Sequence, residues 1–316
     1  MPTPDDGGNA PASLIALPGA DALAARLAQA LGATACRLDH RRFPDGEAHL
    51  RVLDAVDGRQ LLVVVALRQP DPQLPSLFFL ADALRDLGAA RVGLVAPYLP
   101  YLRQDRRFLS GEALTSHSFA AWVSARFDGL VTVDPHLHRI RTLDEVYRIP
   151  AVAVSSAAAI AAWIGANVPR PHLFGPDEES EQWVRGVAQR IGCGHSVLRK
   201  TRLGDREVQI ALPSLEGLEA CTPVLVDDIV STARTLAVAA RALRSAGLAA
   251  PVCVGVHAVF GDDAGVLLQQ AGVGRVVTCN TLPHASNAID VTGALVEGVA
   301  AVRAQWAAGG RSGAAC

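Results

Sequence analysis

Asp227 and Asp228 stand side by side at the end of the apolar run TPVLV, and Ser231, Thr232 and Thr235 follow before the alanine-rich stretch TLAVAARALRSAG takes over. Adjacent carboxylates suit the vicinal hydroxyls of a sugar, because each oxygen accepts hydrogen bonds. A turn that opens a helix suits a phosphate: its backbone N–H groups lack intrahelical partners, the helix dipole is positive there, and hydroxyls add donors. A lone Asp or Ser at such a place can simply cap the helix. Two acids in tandem followed by several hydroxyls exceed what a cap needs.

Other clusters lie on polar stretches that also follow apolar runs. Arg103, Gln104 and Asp105 come after a Pro-rich turn in PYLPYLRQDRRF, and a guanidinium donates two parallel hydrogen bonds to phosphate oxygens. FPDGE, residues 43–47, sets an aromatic ring beside the carboxylates of Asp45 and Glu47; the same five residues equally make a hairpin turn, since Asp-Gly is a favoured turn pair. DPHLHR (134–139) offers His136 and His138, and GPDEES (175–180) offers Asp177, Glu178 and Glu179. KTR (200–202) precedes GDREVQIALPSLEG, a segment with the character of a flap able to close over a site.

These loops need a scaffold, and the sequence describes one. Short β-branched runs alternate with stretches of helical period: QLLVVVAL, PSLFFLADALRDLG, RVGLVAPY, then SFAAWVSARF, GLVTVD, AAAIAAWI, HLFGPD, TPVLVDD and VCVGVHAVF. Strands apolar throughout and separated by helices predict parallel sheets covered on both faces. In such sheets ligands bind beyond the carboxyl ends of strands, where the polar loops fall. ALRDLGAARVGLVAPY (83–98) is echoed by ALRSAGLAAPVCVGVHAVF (242–260), which predicts two similar α/β domains, 13–150 and 151–306, with tails at 1–12 and 307–316 too small and polar to pack.

At 316 residues, half of them hydrophobic, the chain can fill two cores. Its 29 Lys and Arg against 31 Asp and Glu give no electrostatic reason to expect nucleic acid or an anionic membrane as partner, so an anionic ligand must be held by local chemistry. The six cysteines form no CxxC pair, which argues against a zinc knuckle or a disulfide framework and for a reduced, cytoplasmic setting. The N-terminal stretch lacks the basic start and apolar core of a signal peptide, and no apolar run reaches membrane-spanning length.

VLVDDIVSTART resembles the ribose-5-phosphate loop of the type I phosphoribosyltransferase fold, and the remaining segments narrow the likeness. RRFPDGEAHLR, PYLPYLRQDRRF, VTVDPHLHRI, GPDEES and KTR are similar, in order, to segments of the ribose-phosphate pyrophosphokinases, and VVTCNTLPH resembles a further strand end of that family. The resemblance implies two phosphoribosyltransferase-like domains, each a mostly parallel sheet flanked by helices, and transfer of the diphosphoryl group of Mg-ATP to the 1-hydroxyl of ribose 5-phosphate. It implies ATP contacts at Phe43, Asp45, Glu47, Arg103, Gln104, Asp105 and His136, and ribose 5-phosphate contacts at Asp227, Asp228, Ser231, Thr232, Ala233, Arg234 and Thr235. It further implies Mg2+ at His136 and Asp177, and catalysis by Lys200 and Arg202. FPDGE would come from a neighbouring subunit, which implies a homo-oligomer, a dimer or a hexamer.

Two departures stand out. Where the family's diphosphate loop runs SerProAsp, a variable residue and GlyGly, this chain has Glu178 and Glu179, and Arg234 stands where synthetases carry glycine. A non-catalytic regulatory homologue of the synthetase, or a diphosphokinase or phosphoribosyltransferase with a different substrate, is therefore also open.

Overall fold

The computed structural model describes residues 12–177, 180–203 and 207–309. Two compact units emerge, one running up to Val154 and resuming at Thr292, the other from Ser155 to Val291.

In the first unit, β1 (Ser13–Ala16), β2 (Thr34–Cys36), β5 (Gln60–Val64), β6 (Arg91–Val95), β7 (Gly129–Val133) and β8 (Ala151–Val154) form a parallel sheet in the order β2-β1-β5-β6-β7-β8. The helices α1 (Asp21–Leu31), α2 (Leu74–Asp86) and α3 (Thr115–Ser124) lie between strands in sequence, and β3 (Leu38–Arg42) pairs antiparallel with β4 (Ala48–Val52) as a separate hairpin. In the second unit, β9 (Pro171–Gly175), β10 (His195–Val197), β13 (Thr222–Val230), β14 (Val252–Ala258), β15 (Arg275–Cys279) and β16 (Asn287–Ile289) take the order β10-β9-β13-β14-β15-β16. Its hairpin is β11 (Arg199–Leu203) with β12 (Glu207–Ala211), and its helices are α4 (Ala157–Asn167), α5 (Glu181–Ile191), α6 (Arg234–Ser245) and α7 (Ala264–Gln270). The two sheets therefore share one topology, strand for strand and hairpin for hairpin, which is the physical content of the echo between 83–98 and 242–260.

Central strands are buried at consecutive positions, Leu61 to Val65 and Val224 to Val226 among them, because helices cover both faces of each sheet. Leu77, Leu80, Leu84 and Phe119 fill one core; Phe174, Leu236, Leu243 and Leu268 fill the other.

The domain limits differ from the 13–150 and 151–306 expected from sequence. Strand β8 pairs with β7 and so belongs to the first unit, while the last helix, α8 (Thr292–Gly309), packs on β7, β8 and α1 of that unit although it follows β16 of the second. Glycines prepare the landing place. A Cβ at Gly93 would lie 2.9 Å from the Trp306 ring, and one at Gly129 would lie 2.4 Å from Val302 Cγ1. Trp306 is buried there and donates its indole N–H to the Asp128 carbonyl at 2.7 Å. The helix also continues through 307–309, which the sequence had placed in a frayed tail.

In each sheet, strand order reverses at one point: β1 lies between β2 and β5, and β9 lies between β10 and β13. The carboxyl ends of β9 and β13 thus flank a crevice of the kind in which open α/β sheets bind ligands. Asp177 follows the first of these strands, and Asp227 and Asp228 lie on the second.

Candidate active site

The acid pair sits on a strand longer than expected. Its polar residues suggested a loop after Val226, yet β13 keeps pairing with β14 as far as Val230 opposite Ala258, because Ile229 and Val230 return the strand to the core. Asp227 and Asp228 are half-buried at its carboxyl end, and each carboxylate accepts from the next backbone N–H: Asp228 N donates to Asp227 Oδ1 at 3.1 Å and Ile229 N to Asp228 Oδ1 at 2.7 Å. Helix α6 then begins at Arg234, and its N-cap residue is Ala233, with no side-chain cap bond, rather than Asp228 or Ser231. A helix start whose N-cap residue, Ala233, has no side-chain acceptor leaves first-turn N–H groups for an anion.

The turn before α6 is suspended from the neighbouring loop. Phe260 N donates to the Val230 carbonyl at 2.8 Å and Gly261 N to the Ser231 carbonyl at 2.9 Å. Ala233 takes a left-handed φ of 57°, a conformation that costs an L-residue roughly 1 kcal/mol or more, and its methyl is buried. Arg234 lines an open cavity of about 480 Å3 with Thr232, Asp262, Asp263 and Gln270, on the α7 side of the turn.

Asp177 is half-buried after β9, and its carbonyl accepts from Ser180 Oγ at 2.6 Å. Glu178 and Glu179 lie outside the described residues. Lys200 and Arg202 fall on β11, facing Ile210 and Val208 in register, with their side chains outside what is described.

In the first unit, FPDGE forms the tip of the β3–β4 hairpin, closed by Phe43 N to the Glu47 carbonyl at 2.8 Å. Phe43 is 40% exposed, with the Arg41 guanidinium 4.9 Å from its centroid and His49 edge-on to it. Asp45 and Glu47 are exposed beside it. The hairpin base is fastened by Arg37, whose guanidinium and backbone N–H both donate to Asp54, at 2.8 and 2.6 Å.

The stretch after β6 splits its expected ligands. Arg103 is exposed; Gln104 is half-buried and tied to the start of α3, its side-chain oxygen accepting from Thr115 Oγ1 at 3.3 Å and its carbonyl from Ser116 Oγ at 3.0 Å. Asp105 is turned inward. Its side chain is 2% exposed and holds Arg139, from the stretch after β7, at 3.0 Å. Burial pushes the Asp105 carboxyl up, but the Arg139 backbone N–H, guanidinium and charge together bring it below the usual carboxylate range. Sequence reasoning passed over Arg139, although a cation in the same short loop as His136 was the available signal. His136 is half-buried and edge-on to His138, with ring centroids 4.3 Å apart.

Paired parallel sheets of one topology, with an acid pair and an uncapped helix start at a strand-order reversal, define a protein of the phosphoribosyltransferase fold class. Residues 12–125 match the N-terminal domain of ribose phosphate pyrophosphokinase, and residues 142–293 match the phosphoribosyl transferase domain. The ribose-phosphate pyrophosphokinase of Methanopyrus kandleri is 35% identical across 88% of this chain and 94% of its own length. That of Sulfolobus acidocaldarius is 31% identical across 84% and 91%. A crystal structure of phosphoribosylpyrophosphate synthetase from Mycobacterium smegmatis superposes with a TM-score of 0.80 at 22% identity, covering 94% of this chain and 99% of that one, a likeness of fold. The chain belongs to the ribose-phosphate pyrophosphokinase family.

Proposed function

We propose that the chain transfers the diphosphoryl group of Mg-ATP to the 1-hydroxyl of ribose 5-phosphate, giving 5-phosphoribosyl 1-diphosphate and AMP. The observation that carries this reading is the acid pair on β13 followed by an uncapped helix start, in a chain that also keeps the family's nucleotide-side segments. Asp227 and Asp228 accept hydrogen bonds from the ribose hydroxyls. Ser231, Thr232, Ala233, Arg234 and Thr235 receive the 5-phosphate through backbone N–H groups and hydroxyls. The acceptor is thereby fixed before the donor reacts.

On the donor side Arg103 binds polyphosphate oxygens and Gln104 adds polar contacts to the nucleotide, while Phe43, Asp45 and Glu47 recognise adenine. The exposure of those three residues at a hairpin tip supports their use by the site of a second copy, so the active form is a homo-oligomer. The 1-hydroxyl attacks the β-phosphorus, its proton is released, and AMP leaves as the bond to the α,β-bridging oxygen breaks. Lys200 and Arg202 meet the charge that develops on the transferring group.

His136 in the first unit and Asp177 in the second are the residues that would hold Mg2+, each with phosphate oxygens, and the bound ion would neutralise polyphosphate charge. The half-buried Asp177 offers the oxygen donor that magnesium prefers, and magnesium commonly completes its shell with substrate oxygens and water. A cytoplasmic setting agrees with Cys36, Cys193, Cys221, Cys253 and Cys279 being free thiols. Among the described residues no helix is long and apolar enough to cross a membrane.

The test is direct. Purified protein incubated with ATP, Mg2+ and ribose 5-phosphate is expected to form AMP and phosphoribosyl diphosphate in equal amounts, read by phosphorus NMR. Absence of AMP across a panel of sugar phosphates would refute the reading.

A further inference from the structure

We infer that Asp105 is a positioning residue which, through Arg139, sets the loop that carries His136, and that it does not itself contact the nucleotide. The inference rests on the proposed reaction only for its kinetic readout; the geometry stands without it. Both carboxylate oxygens of Asp105 are engaged by one residue. Oδ2 accepts the Arg139 backbone N–H at 3.1 Å, and Oδ1 and Oδ2 accept Arg139 Nη1 at 3.0 and 3.4 Å. With 2% of its side chain exposed, Asp105 has no surface to offer a ligand, whereas its partner Arg139 is 49% exposed.

The two residues are 34 positions apart and follow adjacent parallel strands, β6 and β7, so the pair joins two loops at one edge of the sheet. A second tie runs beside it: the Arg139 guanidinium lies 5.8 Å from the centroid of Phe108, which Arg106 also covers at 4.7 Å.

What the tie holds is a short arc with a costly start. Asp134 leaves β7 with a φ of 34°, in the left-handed region that Asp enters more readily than most side chains but still at a cost. Its N–H donates to the Val154 carbonyl at 2.9 Å, which fixes one end of the arc. Arg139 on Asp105 and the buried Ile140 fix the other. His136 lies between these anchors, so its place is set by a carboxylate that never reaches it. A reacting group displaced by about 1 Å can lose on the order of 100-fold in rate, which is the scale on which such a clamp acts.

A double-mutant cycle tests this. Asp105→Asn, Arg139→Gln, the double variant and Arg139→Lys would be compared for kcat and KM for ATP, for calorimetric binding of Mg-ATP without acceptor, and for the His136 ring signal in proton-carbon NMR. Asp105→Asn and Arg139→Gln should each lower kcat/KM by roughly 10- to 100-fold and move the His136 signal. The double variant should be no worse than the more damaged single, and Arg139→Lys should recover about tenfold over Arg139→Gln. Losses that multiply in the double variant would overturn the inference, because Asp105 would then act on the nucleotide independently of Arg139. So would an unmoved His136 signal, or a loss that only tracks melting temperature. A wild-type protein that forms no AMP would refute the proposed reaction instead, and the His136 signal would still decide the clamp without turnover.

Discussion

Gly255→Ala offers a test of how the ribose-phosphate turn is suspended. Gly255 sits on β14 opposite Asp227, and an added Cβ would lie 2.4 Å from Val230 Cγ2, more than 1 Å short of ordinary van der Waals contact. Val230 is 1% exposed, so its side chain cannot swing into solvent. The strand end must move, and with it the Val230 and Ser231 carbonyls that accept from Phe260 and Gly261. Overpacking of this kind costs about 1–3 kcal/mol. Expressed wholly in acceptor binding, that range is a rise of roughly 5- to 150-fold in KM for ribose 5-phosphate, at 1.4 kcal/mol per tenfold. Steady-state kinetics with each substrate varied in turn would show the acceptor KM rising well above any change in that for ATP. Val230→Ala removes the atom that clashes, so the double variant should recover most of the loss despite its own small cavity. An unchanged acceptor KM in Gly255→Ala, or no recovery in the double variant, would refute the reasoning.

Other outcomes follow from the same structure. Asp227→Asn or Asp228→Asn should raise KM for ribose 5-phosphate more than KM for ATP, and the reverse order in initial-rate kinetics would mean the acid pair serves the other substrate. Lys200→Ala should lower kcat by on the order of 100-fold or more while calorimetry shows Mg-ATP binding retained, as expected of a group acting in the transition state. The Asp54 carboxyl is held at about 2, first by the side-chain hydrogen bond from Arg37 and then by the Arg37 backbone N–H. Its folded value lies below the ordinary 3.8, so the stabilisation it gives is complete above that value and is lost as pH falls through about 2. Thermal melts between pH 4 and pH 2 should therefore fall more steeply for wild type than for Asp54→Asn.

The parallel sheets were legible because their strands, QLLVVVAL and RVGLVAPY among them, are apolar at consecutive positions, a pattern that only two-sided burial explains. The hairpin at FPDGE was legible as one of two alternatives, since Asp-Gly between extended runs is turn chemistry. Strand β13 was read too short because two acids interrupt the apolar pattern, while pairing with the seven-residue β14 carries the strand past them. The inward turn of Asp105 was hidden for a different reason. RQDRR has the composition of a solvated loop, and the partner that buries its acid arrives only when β7 is laid beside β6. Likewise nothing local in TGALVEGVAAVRAQW says which sheet the helix will cover; the matching signal is the pair of side-chain-free positions at Gly93 and Gly129, far upstream.

That last helix has a consequence for how the protein is made. Trp306 is synthesised 177 residues after Gly129, which at about 5–20 residues per second is a delay of roughly 10 to 35 s. Throughout that interval the growing chain carries a first sheet whose face over β7 and β8, beside α1, is uncovered, while the entire second unit is still being added. The first unit cannot be completed until the second has been made, so a nascent chain stalled before α8 leaves that part of the sheet open.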